Sequence, residues 1–191
     1  MKKVSSFNIT WILIGSATVG TALSIALTKD TKWMQWHLSR LGEGASLSSA
    51  IFNFTIIMAG LVLLLMAMRI TDEITHHKPH PGVGQLRMLL IIAAMCWAGV
   101  GAFPFDTWPV IHNVFGYGQF LVLSAAMVGL KHICPRFSPR TYNIGLMAVI
   151  ITAILVALFH LTHFTTLLVV ELIGQLFIYA WLLSMTYDAR R

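Results

Sequence analysis

The chain has 191 residues, 57% of them hydrophobic and 10% charged. A soluble domain carries about 25% charged residues, so this inventory excludes a water-facing surface and points to one integral membrane domain, residues 1–191. The net charge of +6 is no sign of nucleic-acid binding, because Lys and Arg stand at the ends of apolar runs, where they orient membrane helices.

Six apolar runs, roughly 7–27, 47–69, 86–104, 109–131, 142–163 and 166–187, approach the ~20 residues that span a bilayer. Lipid satisfies no backbone polar group, so each run must be a helix. The expected fold class is all-α: a polytopic six-helix bundle with short loops. The first run follows Lys2 and Lys3 and exceeds the 7–15 residues of a signal-peptide core, so it is expected to be an uncleaved span. Of 13 Lys and Arg residues, all but Lys29, Lys32 and Arg40 fall on the side of the N-terminus. The positive-inside rule therefore predicts both termini cytoplasmic and the first, third and fifth loops outside.

In the first run Ser16, Gly20 and Ser24 recur every four residues, and in the fourth Ala125 and Gly129 do the same. Both patterns predict close helix packing. The first outer loop, 28–46, carries Trp33 and Trp36, suited to a headgroup interface. Arg40 and Glu43 follow, with Gly42 and Gly44 permitting a tight turn. The second loop, 71–85, holds Asp72, Glu73, His76, His77, Lys78 and His80. It reads as a solvated basic loop near anionic headgroups rather than a metal site. Cys96 and Cys134 lie at different depths and beyond the ~7 Å that a disulfide tolerates.

Between the third and fourth runs, Phe103-Pro104-Phe105-Asp106-Thr107-Trp108-Pro109 forms a turn, with His112 just beyond. Asp106 is expected to cap the fourth helix, with Pro109 in its first turn. His160 and His163 share one face of the fifth helix at i,i+3. Glu171 is the costliest side chain, about 8 Å inside the sixth span at 1.5 Å per residue. A carboxylate there must be paired, protonated or facing water. Gln175 and Tyr179 continue its face, and Asn53 lies at a similar depth on the second helix. Arg40, Glu43, Asn53, Asp106, His112, His160, His163 and Glu171 all fall in the outer third, while the inner half is nearly bare. That asymmetry argues against a through-membrane ion path and for a cup open to the outside or to the outer leaflet.

Leu38-Ser39-Arg40-Leu41-Gly42-Glu43-Gly44, Ile51-Phe52-Asn53, Ala59-Gly60-Leu61 and Gly99-Val100-Gly101-Ala102-Phe103-Pro104-Phe105-Asp106 with His112 stand in a familiar order. Over roughly residues 10–185 the chain resembles a family of small prokaryotic membrane proteins known as domain of unknown function 998. The resemblance implies a six-helix membrane protein, singles out Arg40, Asn53, Asp106 and His112, and carries no activity.

Three functions compete. The first is binding or handling of a lipid or other amphiphile, with Arg40 holding an anionic head and Glu171 or Asp106 positioning it, helped by Glu43, Asn53 and Gln175. The second is a metal-dependent lipid hydrolase. There His112, His160 and His163 would hold zinc, with Asp106 or Glu171 as general base; the three lack the i,i+4 spacing of the helical zinc motif. The third is assembly with another membrane protein or a second copy, through Trp33, Trp36 and Trp108.

Overall fold

The structure is a computed structural model; it describes residues 4–77, 80–162 and 166–190, with the side chains of 77 and 162 left aside. Six helices, α1 (Ser6–Leu27), α2 (Leu47–His77), α3 (Val83–Ala102), α4 (Pro109–Ile133), α5 (Pro139–Thr162) and α6 (Leu167–Ala189), follow one another, and there is no strand among the described residues. All six are long and apolar enough to cross a bilayer, and the chain is an integral membrane protein.

Helix α2 is the hub, packed on α1 and α3 and touching α6; α4 packs on α3, and α5 joins α4 to α6. Its inner face is a stripe of fully buried Ala59, Leu63, Met66, Ala67, Ile70 and Ile74, spaced by three and four residues as a helix face demands. Leu86 and Leu90 of α3, Leu123 and Leu130 of α4, and Trp181 and Leu182 of α6 complete the core. The opposite helix faces are apolar and exposed, as for Leu121 at 71%, which suits contact with lipid.

Small residues set the closest approaches, though not all those expected. On α1, Ser24 donates to the Ser48 carbonyl of α2, and Gly20 lies so near Thr55 that a Cβ would sit 2.1 Å from its Oγ1. Ser16 instead faces outward and bonds back to Leu13 of its own helix. The buried face of α4 runs through Leu123, Ala126, Met127 and Leu130, so Ala125 is exposed and the proposed Ala125–Gly129 seam is not formed. A close backbone approach also joins α2 to α3, where a Cβ on Gly60 would meet the backbone N of Ala98 at 2.6 Å.

Helix α2 outlasts its apolar run by eight residues, ending at His77 rather than 69. Ile70, Thr71 and Ile74 are fully buried there, because they continue the inward stripe; a count of apolar run length misses such an amphipathic extension. The expected 71–85 loop therefore shrinks to the stretch around Pro81. His80 accepts from the Gly82 N–H at 3.1 Å. Cys96 and Cys134 are buried free thiols.

Candidate functional site

The site lies at the end bearing the first and third connections, called the upper end. Connection 28–46 folds back over the helices instead of looping into solvent. It carries two 3-10 turns, Lys32–Gln35 and Leu38–Gly42, and four polar ties hold it down. Glu171 Oε2 accepts the Leu38 N–H, and the Trp36 carbonyl accepts the Leu168 N–H at 2.9 Å, so both ties go to the first turns of α6. Asn53 donates to the Gly42 carbonyl at 2.9 Å. Asp106 accepts the Gly44 N–H at 2.8 Å. The two glycines are needed: a Cβ on Gly42 would lie 2.3 Å from Asn53 Oδ1, and Gly44 has φ +72°, where only glycine rests without strain.

The second half of the site comes from the turn between α3 and α4. Pro104, which has no N–H and cannot continue a helix, stands just after the Phe103 cap, and Pro109 opens α4. The Trp108 N–H bonds to the Pro104 carbonyl at 2.8 Å, closing the turn. This reversal aims the free Phe103 carbonyl at His112, whose Nδ1 lies 2.8 Å from it. A carbonyl only accepts, so Nδ1 carries the proton and the neutral ring has its lone pair on Nε2.

His112 Nε2 lies 3.1 Å from Ser39 Oγ, and Ser39 Oγ lies 2.9 Å from His37 Nδ1. With Nε2 of His112 as acceptor, Ser39 donates to it and receives the N–H of His37. Phe105 stacks edge-on against both imidazoles, at 5.4 Å from His37 and 5.7 Å from His112. Burial foremost, then His112 and Arg40 nearby, holds the His37 pKa below the usual imidazole value. Glu43 lies 3.8 Å from His37 Nε2, and burial raises its pKa above the ordinary carboxylate value, aided by Asp106 and Asp30 and opposed by Arg40.

These side chains line a cavity of about 300 Å³ bounded by Trp36, His37, Ser39, Phe105, His112, Asn113, Gly116, Tyr117, Phe120, Leu167 and Glu171. It adjoins a smaller one of about 100 Å³ that runs inward past Ser39, His112 and Glu171 to Trp97, Gln119 and Gln175. The buried Nε2 of Gln175 is turned toward Tyr179 without a hydrogen bond of ordinary geometry. Phe120 of α4 lies against Gly174 of α6, and exposed Asn113 and Tyr117 of α4 border the larger cavity.

Of the residues singled out in the sequence, His112, Glu171 and Gln175 meet at this cavity. Asp106 does not: it is exposed, binds the Gly44 N–H, and leaves Trp108 as the N-cap of α4 without a side-chain cap. A carboxylate three residues before the helix was within capping reach, yet the turn aims it at the neighbouring loop. Asn53 is spent on its clasp to Gly42. Arg40 faces away, paired with Asp30 at 2.8 Å and stacked over Trp36 at 4.9 Å. It borders a separate depression of about 510 Å³ with Asp30, Glu43 and the end of α1. The pairing lowers the Asp30 pKa and raises that of Arg40, the shared hydrogen bond being the main cause in both. His160 is exposed against Phe159 at 4.9 Å; His163 lies outside the described residues. No three His, Cys, Asp or Glu side chains among the described residues converge as metal ligands.

Sequence reasoning missed His37 and Ser39. Ser39 belongs to the stretch that carries the family resemblance and His37 immediately precedes it, but neither breaks an apolar run, so neither stood out on cost. The x-His-x-Ser spacing was the available signal.

Searches of curated proteins and of solved structures return no match. The family model described as "Protein of unknown function (DUF998)" matches residues 11–188. That span takes in every helix and both halves of the site, and the chain belongs to the DUF998 family.

Proposed function

We propose that the upper cavity binds or handles a lipid or another amphiphile in a prokaryotic inner membrane, with this end facing outward, an orientation that the Lys and Arg distribution supports. The observation that carries the reading is the composition of one hollow. His37, Ser39, His112 and Glu171 line it together with Phe120, Tyr117 and Leu167. A polar head and an apolar tail need both kinds of lining. Tyr117 is 63% exposed and also borders the cavity, which gives a lateral route from lipid. Arg40 is tied up with Asp30, so a head bearing hydroxyl or amine donors suits Glu171 and the imidazoles better than an anionic one.

The test is lipid analysis of protein purified in mild detergent, compared with Phe120→Trp and Gly116→Leu variants that fill the hollow. Stoichiometric lipid in the parent and its loss from folded variants is the expected result. Equal lipid content in all three contradicts the reading.

A further inference from the structure

We propose that Ser39 is a nucleophile, activated by His112 as general base, that removes an acyl group from an ester-bearing amphiphile seated in this cavity. The proposal rests on the amphiphile reading above and adds a reaction to it.

Three features support it. The first is the chain of bonds. The Phe103 carbonyl fixes the His112 proton on Nδ1 at 2.8 Å, so Nε2, 3.1 Å from Ser39 Oγ, is a base facing a hydroxyl. Nucleophile, base and a third group that orients the base form the constellation needed for acyl transfer, with a backbone carbonyl in the orienting place. The second is access with partial dryness. Ser39 is only half-buried and borders both cavities, whereas His112 is 7% exposed. The hydroxyl receives the His37 N–H and so has its own proton turned to His112. The third is a buried amide: Gln175 lines the smaller cavity with Ser39, its Nε2 facing Tyr179 without a hydrogen bond of ordinary geometry. An amide N–H that turns to a bound ester can take up charge developing on the carbonyl oxygen.

The step balances without a metal or redox partner. Ser39 Oγ attacks the ester carbonyl carbon while its proton passes to His112 Nε2. The Oγ–C bond forms, the bond from carbon to the leaving alcohol oxygen breaks, and His112 returns the proton to that oxygen. Water then attacks the acyl-serine, again giving a proton to His112, and releases the carboxylic acid with Ser39 restored. A latch that merely tied the first connection to α4 would have the same bonds but an inert hydroxyl.

The full chain in phosphatidylcholine–phosphatidylglycerol nanodiscs, treated with an alkyl fluorophosphonate, separates the two. Tandem mass spectrometry should find the adduct on Ser39 of the unaltered protein, a readout that needs no variant to fold. His112→Asn keeps an amide donor for the Phe103 carbonyl but removes the base, and should slow adduct formation at least about 100-fold, the general-base range. Ser39→Ala should abolish it. An unmodified Ser39 in the folded parent overturns the proposal, and so does an adduct that forms as fast in His112→Asn. Bound lipid with no adduct leaves the binding reading standing and removes the chemistry. An adduct that added diacylglycerol, a neutral ester with a hydroxyl head, does not slow supports the nucleophile and counts against the binding reading.

Discussion

The two ends of this bundle use similar side chains to opposite effect. At the lower end, polar groups are spent as ties. Asp188 takes hydrogen bonds from the Ser138 N–H, the Ser138 hydroxyl and the Thr141 hydroxyl, at 2.8, 2.7 and 2.7 Å. Glu73 takes both the N–H and the hydroxyl of Ser6. Arg87 holds Thr71 and Asp72, and Arg69 binds the Val4 carbonyl. At the upper end Asn53 and Asp106 are spent as ties, Glu171 is both a tie and a border of the hollow, and Ser39, His112 and Gln175 line it as well. A carboxylate near a membrane boundary therefore says nothing by itself about function. What distinguishes the two ends is whether its surroundings close on it or leave room for another molecule.

If that contrast is right, damage at the lower end should cost stability and damage at the upper end should cost binding. Asp188→Ala strips three donors of their acceptor and should lower stability by about 3 kcal/mol, since hydrogen bonds to charged groups contribute roughly 1.5–3 kcal/mol. Thermal unfolding in detergent measures it, and an unchanged Tm would show the lower clasp to be ornamental. Glu73→Ala, with two donors lost, should cost somewhat less, about 2 kcal/mol, and loosen α1 from α2; proteolysis near the N-terminus reports that.

Glu171→Gln reverses the pattern. The amide oxygen can still accept the Leu38 N–H, so stability should change by less than about 1 kcal/mol. Retention of co-purified lipid should fall severalfold, because the carboxylate that borders the hollow is gone. A large drop in Tm with unaltered lipid would place Glu171 among the ties instead.

The smallest expected effect is one of pH. The folded pKa of His37 is depressed, burial being the chief cause, so the fold prefers the neutral ring. That preference is fully present above the unfolded imidazole value of about 6.5 and is lost as pH falls through it toward the folded pKa. Glu43 has the opposite sign and acts lower, its pKa being raised from the carboxylate range. Protection of the amides across residues 37–44, corrected for the intrinsic exchange rate, should thus fall between pH 7.5 and 5.5, and less so in His37→Gln. Equal protection at both pH values would mean His37 does not sense the burial ascribed to it.

Much of this was legible in the sequence, for identifiable reasons. Apolar run length fixed the six spans to within a few residues everywhere except the end of α2, where the run stops but the buried stripe through Ile74 does not. The cost of a charge in lipid picked out Glu171, and the Pro-bracketed turn picked out His112; both border the cavity. Cost could not say which way a side chain points, which is why Arg40, Asp106 and Asn53 were grouped with residues they do not join. It also passed over His37 and Ser39, which sit in a loop where polar groups are cheap.

The amino-acid order alone determined that this is a six-helix membrane protein, because hydrocarbon leaves a 20-residue apolar run no other conformation. Only the tertiary structure decided which polar residues share a space. That choice depends on the first connection folding inward over the helices, where Glu171 and Asn53 supply acceptor and donor for its backbone, so that Ser39 comes to rest against a histidine 73 residues away.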